Sequence, residues 1–312
     1  MQSLPLEGKI NRSLDQLFKW CNYWNYEVYA SNSGGIDSTV VTHLAQQVFP
    51  QITVAFFNTG LEYDENVEHA RSYCNLVERY PDHGYKWVVD NYGYPVVSKK
   101  VSRMIWDLRR PLGVNEATKR LHLTGYTRSG KYSPRHKLPD KWRQLLHAPF
   151  LISNKCCDKM KKEPIHKFEK ETGLKPITGE LADESLDREQ EYLKRDGCNA
   201  FTGRPKSTPI AFWTKQDILQ YILNNNLPYS RVYGDIIRTP DGLLKTTGEQ
   251  RTGCVYCMFG VHLEQGGNRF QRMARTHPKL HEIGAKVFKL HEVCERIGVP
   301  YYPEMDLFEE AQ

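Results

Sequence analysis

Apolar residues recur at helical spacing near the start of the chain and then give way to short β-rich runs. Residues 8–24 carry an apolar side chain at every third or fourth position, which predicts an amphipathic helix. Three strands are predicted, by the runs EVYA (27–30), ITVAFF (52–57) and YKWVVD (85–90). The segment THLAQQVF predicts a helix between the first two strands. This alternation predicts an α/β fold, a parallel sheet with helices on both faces.

Further regular segments follow, separated by stretches rich in Gly, Ser, Pro and charge. They predict a mobile loop at 123–140, a short helix at 156–162, a helix from Pro164 to Gly173, a strand at 176–180 and helices at 214–223 and 278–296. We therefore predict an α/β domain over residues 1–228, with a basic mobile insertion at 99–143. An irregular C-terminal extension over 229–312 carries a CxxC motif and the helical end.

Positive charge is concentrated in one segment. The chain has 312 residues and a formal charge of +6. Residues 99–143 hold 13 lysines and arginines against three acids, a net +10, so the rest of the chain is slightly acidic. Four aromatic residues lie among these charges, Trp106, Tyr126, Tyr132 and Trp142. Such interleaving favours nucleic acid as a partner, with a solvated basic face as the alternative.

The apolar runs are too short for a membrane span. No window approaches 18 consecutive apolar residues, and the N-terminal stretch has no charged start followed by an apolar run. We therefore expect no membrane contact and a cytoplasmic location, where thiols stay reduced. The eight cysteines are then not expected to form a disulfide framework.

The string SGGIDS at 33–38 lies between the first predicted strand and the helix that follows it. Backbone N–H groups and a helix N-terminus would meet there, which creates an anion site. Gly34 and Gly35 let the backbone approach a phosphate, and Ser33 and Ser38 add hydroxyl donors. Asp37 is placed to help hold Mg²⁺, which prefers oxygen ligands. The string is neither a Walker A loop nor GxGxxG.

The complete string resembles the pyrophosphate loop of the PP-loop ATP pyrophosphatases, in the adenine nucleotide α-hydrolase-like superfamily. Members of that superfamily split ATP between the α and β phosphates, or hold a sulfonucleotide in the same cradle. The resemblance implies ATP and Mg²⁺ as cofactors. It also implies that the predicted sheet has the fold of this superfamily.

Two cysteine pairs are the second chemical signal. Cys156 and Cys157 are adjacent, and Cys254 and Cys257 form the CxxC. Adjacent Cα atoms lie about 3.8 Å apart, too close for an ordinary disulfide. Four thiolates suit zinc or a [4Fe–4S] cluster. A contiguous pair is cramped on one tetrahedral ion, whereas a cubane offers separate iron corners. Buried structural thiols and a structural zinc remain alternatives.

The spacing of these pairs resembles that of bacterial adenylylsulfate reductases and of the related PP-loop proteins of DNA phosphorothioation systems. Those families carry a [4Fe–4S] cluster near the nucleotide, so the resemblance implies that the four cysteines are its ligands. Five basic residues would balance the anionic cluster or steer phosphate toward it: Lys155, Lys159, Lys161, Lys162 and Arg251. Cys21 and Cys294 lie in helical patterns and are expected to pack in the core.

The stretch ITGELADESLDREQEY (177–192) resembles the Gly-x-Arg-x-x-Glu-Ser-x-x-Arg block of the reductase-like PP-loop family. Its matching positions are Gly179, Glu184, Ser185 and Arg188, whereas Leu181 stands where many members have arginine. The resemblance implies nucleotide contacts from Gly179 and Glu184, and a catalytic role for Arg188 beside Asp37. Arg188 could contact phosphate bidentately, and a plain helix salt bridge is the alternative.

A further stretch, NTGLEYDEN (58–66), resembles a D-T-G-x-E-x-x-E block after the family's second strand, with Asn58 in place of the usual Asp. Sulfonucleotide reductases use a nucleophilic cysteine in a Glu-Cys-Gly-Leu-His tail. The last cysteine here is Cys294, without those flanking residues. Reduction of a sulfonucleotide to sulfite is therefore our alternative hypothesis.

Our main hypothesis is an ATP pyrophosphatase with a [4Fe–4S] cluster that adenylates an acceptor for sulfur transfer. The resemblance favours DNA phosphorothioation, with tRNA as another acceptor. It implies a cysteine desulfurase as the sulfur donor, and a homo-oligomer is compatible with it. A nucleic-acid-binding sensor that carries the cluster without turnover is the third hypothesis.

Overall fold

The structure is a computed structural model of the chain, and it describes residues 2–184, 186–194 and 197–303. The helices are α1 Leu6–Tyr23, α2 Ile36–Val48, α3 Asp64–Arg71, α4 Tyr85–Tyr92, α5 Lys99–Leu108, α6 Glu116–Thr124, α7 Glu163–Thr172, α8 Leu186–Lys194, α9 Lys215–Asn224, α10 Arg269–Thr276, α11 Pro278–Lys286 and α12 Leu290–Arg296. The strands are β1 Val28–Ser31, β2 Thr53–Phe57, β3 Leu76–Arg79, β4 Val96–Val97, β5 Lys175–Thr178, β6 Asn199–Ala200, β7 Lys206–Ser207, β8 Ile236–Arg238, β9 Leu244–Thr246 and β10 Met258–Phe259.

The chain divides into two compact units, and each is built from two separate stretches. Unit 1 comprises the residues up to Asp82 together with Glu163–Gly253. Unit 2 comprises His83–Lys162 and the described residues from Cys254 onward. The sequence-based boundary at residue 228 falls inside unit 1, and the basic insertion at 99–143 falls inside unit 2. A pattern read along the chain misses this division because the chain leaves unit 1 and later returns to it.

Unit 1 contains a six-stranded sheet in the order β3-β2-β1-β5-β7-β6. β6 is antiparallel to β7, and the other neighbours are parallel. The predicted α/β fold with a mostly parallel sheet is therefore confirmed. Tyr29 of β1, Ala55 of β2 and Phe168 of α7 form a buried core cluster, in which the rings of Tyr29 and Phe168 lie 5.1 Å apart. This core fixes the central strands, whose carboxyl ends carry the loops described below.

One predicted strand is wrong and one strand of the sheet was missed, for reasons that hydrophobic spacing explains. YKWVVD forms helix α4 rather than a strand. Its buried residues Tyr85, Val88 and Val89 recur at three and four positions, the period of a helix. The third strand of the sheet is instead LVER, β3, at the edge of the sheet, where the polar residues that hid it from the pattern are tolerated.

The predicted short helix at 156–162 and the helix after it form one continuous helical run in the structure. A π-helical turn at Asp158–Lys162 leads directly into α7, so Pro164 does not open a separate helix. Proline cannot donate a helical hydrogen bond, and π-helical turns change the bonding pattern locally. Gly173 ends the run as predicted, with a φ of +76° and its N–H bonded to the carbonyl of Glu169.

Unit 2 contains the parallel pair β4–β10 and a cluster of rings. Tyr94 donates to the carbonyl of Phe288 at 2.9 Å, and Tyr256 donates to that of Leu280 at 2.9 Å. The predicted helix at 278–296 is broken into α11 and α12, because Lys289 adopts a left-handed φ of +49°.

The segment predicted as a loop at 123–140 contains defined local structure. It includes a short hairpin, closed by a bridge between Tyr126 and Tyr132, and a 3-10 turn at Pro134–His136. Its mobility stays a prediction. None of the helices in the described part of the chain has the length and apolar composition needed to cross a membrane.

Candidate functional site

The glycine loop connects β1 to α2 at the carboxyl edge of the sheet in unit 1. Asn32 organises it, because its side-chain oxygen accepts hydrogen bonds from the N–H of Gly34 at 2.8 Å and from the Ser38 hydroxyl at 3.3 Å. Ser38 also donates to the carbonyl of Gly35 at 2.7 Å, and the Ser33 and Ser38 hydroxyls lie 3.4 Å apart. The loop is thus held by its own side chains at the start of a helix, which is the geometry of an anion site.

Two glycines bring backbone segments into direct contact at this loop. A Cβ on Gly34, whose φ is +74°, would lie 2.2 Å from the carbonyl oxygen of Asn66. A Cβ on Gly179, which follows β5, would lie 2.7 Å from the carbonyl oxygen of Asp37. Glycine is therefore required at both positions. The structure thus brings Gly179 against the loop, although 141 intervening positions separate it from Asp37 in the sequence.

Asp37 lies in the first turn of α2, where its charge is favourable at the helix N-terminus. Its carboxylate pairs with the ammonium group of Lys215 at 3.2 Å. Both side chains are partly exposed, so they can exchange this contact for a ligand. The sequence pattern missed Lys215, because it follows the N-cap Thr214 in a capping box that indicates only a helix start. A role for Asp37 in holding Mg²⁺ stays a prediction.

Tyr233 and Thr252 cover the glycine loop from the second stretch of unit 1. The Tyr233 hydroxyl lies 2.7 Å from that of Thr252 and accepts a hydrogen bond from the N–H of Ile36 at 3.4 Å. A Cβ on Gly35 would lie 3.4 Å from the Tyr233 hydroxyl. Burial raises the pKa of Tyr233 to about 12, which keeps this hydroxyl neutral. Both residues come after the predicted domain boundary at residue 228, and no motif in the sequence marks them.

The carboxylate of Glu184, in the block that follows β5, forms ion pairs with two arginines. Arg188 forms an ion pair with it one helical turn away, and Arg251 approaches the same carboxylate at 3.3 Å. Leu181 is 2% exposed, so it packs in the interior and provides no anion contact. Ser185 lies outside the described residues. The nucleotide contacts predicted for Glu184 and Arg188 stay predictions.

The stretch NTGLEYDEN adds a second ordered loop after β2. The buried carboxylate of Glu62 accepts hydrogen bonds from the N–H groups of Thr59 and Leu61, at 3.0 and 3.2 Å. The Asn58 side chain bonds to the N–H of Gly60 and to Glu78. Since β1 and β2 are parallel neighbours, this loop and the glycine loop leave the same edge of the sheet.

All four cysteines of the predicted cluster line one cavity in unit 2. Cys156 and Cys157 begin a helical run, and Cys254 and Cys257 form a tight turn in which the N–H of Cys257 bonds to the carbonyl of Cys254 at 3.0 Å. The other residues that line the cavity are Tyr85, Pro95, Met160, Lys161 and Phe259. Four thiols separated along the sequence thus share one mainly apolar cavity.

The electrostatics of this cavity reflect burial and mutual repulsion. Burial, and then the neighbouring sulfurs of Cys254, Cys157 and Cys257, raise the pKa of the Cys156 thiol. Lys161 opposes this shift. Of the other basic residues predicted to balance a cluster, Lys155 and Lys162 pair with Asp158, and Lys159 lies over the ring of Tyr92.

The remaining cysteines are unlike these four. Cys21, Cys198 and Cys294 are buried, and burial raises their pKa values to about 11, 11 and 12. The expectation that Cys21 and Cys294 pack in the core is confirmed. Cys74 is exposed and precedes β3, at the amino edge of the sheet. The glycine loop lies at the opposite, carboxyl edge.

The glycine loop and the mostly parallel sheet of unit 1 define an α/β protein of the PP-loop class. The family model described as the phosphoadenosine phosphosulfate reductase domain matches residues 27–91 and 113–258. The match covers more than half of the chain, which therefore belongs to this family.

Named relatives agree with this assignment. The adenosine 5′-phosphosulfate reductase of Lysinibacillus sphaericus is 24% identical over 289 residues, covering 88% of this chain and 97% of the relative. That of a Geobacillus species is 24% identical over 230 residues, covering 73% and 76%. A crystal structure of phosphoadenylyl-sulfate reductase from Candida auris, a phosphate complex, is 13% identical with a TM-score of 0.40, covering 73% of this chain and 91% of its own. That structural likeness is too distant for further conclusions.

Proposed function

We propose that this protein is an enzyme that binds a sulfonucleotide such as adenosine 5′-phosphosulfate at the glycine loop and releases sulfite from it. The observation that carries the proposal is the glycine loop itself, held by Asn32 and packed so closely that Gly34 and Gly179 admit no side chain. The names of the relatives and the family membership support this substrate class.

The chain supplies several groups for the anionic part of such a substrate. The N–H groups at the start of α2 would bind the phosphate, with the helix dipole favouring its charge. Lys215, released from Asp37, and Arg188 or Arg251, released from Glu184, would contact the remaining oxygens. Tyr233 would hold the loop in place by its bond to Ile36.

Sulfite release requires a thiolate that attacks the sulfur atom of the substrate. The bond from sulfur to the phosphate oxygen breaks, and AMP leaves with its electron pair. A second thiol then displaces sulfite, so the two thiols are oxidised to a disulfide. Among the described residues of unit 1, no exposed cysteine lies at the carboxyl edge of the sheet. We therefore assign both electrons to an external dithiol.

The cavity of unit 2 fits a [4Fe–4S] cluster in the chemistry of its donors. It has four free cysteines and a mostly apolar lining. In the described residues, no three or more side chains of His, Cys, Asp or Glu are arranged closely enough to hold one metal ion, and this includes the four cysteines. Thiols spread around a cavity suit the separate corners of a cubane better than a single ion. We propose Cys156, Cys157, Cys254 and Cys257 as ligands. When bound, the cluster would supply iron–sulfur redox or Lewis-acid chemistry.

A second candidate function is ATP-dependent sulfur transfer to an acceptor. It is favoured by the same observation that no exposed cysteine of the described unit 1 lies beside the glycine loop, since this reaction needs no attacking thiol there. The loop N–H groups, with Mg²⁺ at Asp37, would stabilise the charge on departing pyrophosphate. A desulfurase would supply the sulfur.

The two functions are separated by their products under anaerobic conditions. We expect sulfite when the protein is given adenosine 5′-phosphosulfate and a dithiol, because the relatives that it matches are named adenosine 5′-phosphosulfate reductases. Asp37→Ala should abolish it, whereas Asp15→Ala, on the exposed face of α1, should retain it. Pyrophosphate from ATP and Mg²⁺ in place of sulfite would instead establish the second candidate. If neither product forms, both functions are contradicted, and the nucleic-acid-binding sensor that carries the cluster without turnover is the hypothesis that remains.

Cluster content gives an independent prediction. Protein purified anaerobically should contain about four irons and four sulfides per chain. Cys157→Ser should lose most of both, because it removes one thiol from the cavity, whereas Cys74→Ser should retain them because Cys74 lies in unit 1. Iron and acid-labile sulfide are measured beside zinc. One zinc per chain without iron would contradict the assignment.

A further inference from the structure

The basic segment of unit 2 presents an exposed pair of aromatic rings, on what we call the tyrosine hairpin, residues 126–132. Tyr126 and Tyr132 pair across it, with ring centroids 5.1 Å apart, and they are 46% and 50% exposed. The hairpin is closed by bonds from the N–H of Thr127 to the carbonyl of Lys131 and from the N–H of Gly130 to that of Thr127. Two large rings are thus held at the surface on a defined turn.

Positive charges surround these rings. Arg128 and Lys131 are exposed on the hairpin itself. A Cβ on Gly125, directly before the hairpin, would meet both the ring of Tyr132 and the side chain of Lys137. Arg143 donates to the carbonyl of Leu123 at 3.3 Å, which places a further guanidinium near the end of α6.

The acids of the segment are already engaged. Asp107 contacts His122 at 3.3 Å, Glu116 pairs with Lys119 at 3.0 Å, and Asp140 pairs with Arg143 at 2.9 Å. By contrast, several exposed bases make no ion pair with any residue that the structure describes: Arg120, Arg128, Lys131 and Arg135. Partial desolvation, and then the charges of Arg135, Lys100 and His122, lower the pKa of His136, in keeping with a positive local potential.

We propose that the tyrosine hairpin and the basic side chains around it bind single-stranded DNA. Unpaired bases can stack on exposed rings, while the bases of a duplex cannot reach them, and neighbouring cations neutralise phosphates. The hairpin supplies both groups within seven residues. Of the other two aromatics in the segment, Trp142 is buried and Trp106 is half-buried with Arg110 over its ring at 5.7 Å, so neither is an open platform.

DNA is favoured over RNA by the state of the carboxylates. Proteins that select RNA bond to its ribose 2′-hydroxyl, which can donate to a carboxylate. The three carboxylates of residues 99–143, all of which the structure describes, already accept from cationic groups or His122. The inference goes beyond the proposed function, because it concerns a surface of unit 2 and needs no turnover.

Binding is tested by fluorescence anisotropy with a labelled oligothymidine of about 20 nucleotides, against duplex DNA and oligouridine. We expect the single DNA strand to bind tightest. Replacing both tyrosines, Tyr126→Leu with Tyr132→Leu, should weaken it by at least about tenfold through loss of stacking, with little change in salt dependence. Tyr126→Phe with Tyr132→Phe keeps the rings and should bind like the unmodified protein.

The electrostatic part has its own variant. Arg128→Gln with Lys131→Gln should reduce the salt slope of log K by about 1.4, from about 0.7 per phosphate contact. Lys245→Gln with Lys279→Gln removes the same charge from exposed positions outside the segment and should leave the slope unchanged. The proposal is overturned if duplex DNA or oligouridine binds as tightly, or if neither hairpin variant differs from its control. Sulfite and pyrophosphate assays are independent of this result.

Discussion

Replacing Gly34 by alanine is expected to abolish nucleotide binding and to lower the free energy of unfolding by about 3 kcal/mol. Gly34 has a φ of +74°, which costs any residue with a Cβ, and the added methyl would lie 2.2 Å from the carbonyl oxygen of Asn66. Both obstacles are in backbone, so neither can be relieved by rotating a side chain. The loop would have to move away from α3, and the N–H groups at the start of α2 would no longer converge.

Gly60→Ala is the matched control for this substitution. Its φ of +71° imposes a similar conformational cost, but nothing lies within 4 Å of the added Cβ. We expect a loss of about 1 kcal/mol there, with binding of adenosine 5′-phosphosulfate retained. Denaturant unfolding and calorimetric titration with adenosine 5′-phosphosulfate measure both quantities. Equal losses at the two positions would show that the contact with Asn66 is unimportant.

The second large effect is expected at a buried ion pair of unit 1. Lys9→Met should lower the free energy of unfolding by about 3 kcal/mol, because it leaves the carboxylate of Asp217 buried without its cation. The ammonium group of Lys9 lies 2.6 Å from Asp217, and the side chains are 3% and 14% exposed. Asp217 also accepts from the N–H of Thr214, so the same carboxylate joins α1 to the N-terminus of α9.

Lys19→Met tests whether burial is the cause. Lys19 pairs with Asp15 at a similar distance of 2.7 Å on the same helix, but the side chains are 58% and 48% exposed. Solvent screens such a pair, so its loss should change stability by no more than about 0.5 kcal/mol. Urea unfolding of both variants makes the comparison. A loss at position 19 as large as that at position 9 would refute the argument from burial.

The features that could be predicted from sequence are those written into a short stretch of chain. The glycine loop is one, because the strand, the two glycines and the helix start lie within about ten residues. The helix α1 and the strands β1, β2 and β5 also follow their local apolar pattern. The four cysteines were found from their spacing, and the structure places them around one cavity.

What could not be predicted depends on contacts between distant stretches. Tyr233 contacts Ile36 and Lys215 contacts Asp37, although these partners are separated by 197 and 178 residues along the chain. No local pattern marks Tyr233 or Lys215. Asn32 is different, since an Asn directly after a strand and two residues before a glycine could have indicated a turn. The helix α4 was mistaken for a strand because a run of six residues fits either period.

The interleaving of the two units has a consequence for the order in which the protein folds during synthesis. β1 pairs with β2, which follows it closely, and with β5, which is made only after the whole first stretch of unit 2. One side of β1 must therefore stay unpaired on the ribosome until residue 178 has emerged. Such an open edge is prone to wrong pairing, so a chaperone that covers β1 during synthesis should improve the yield of native protein.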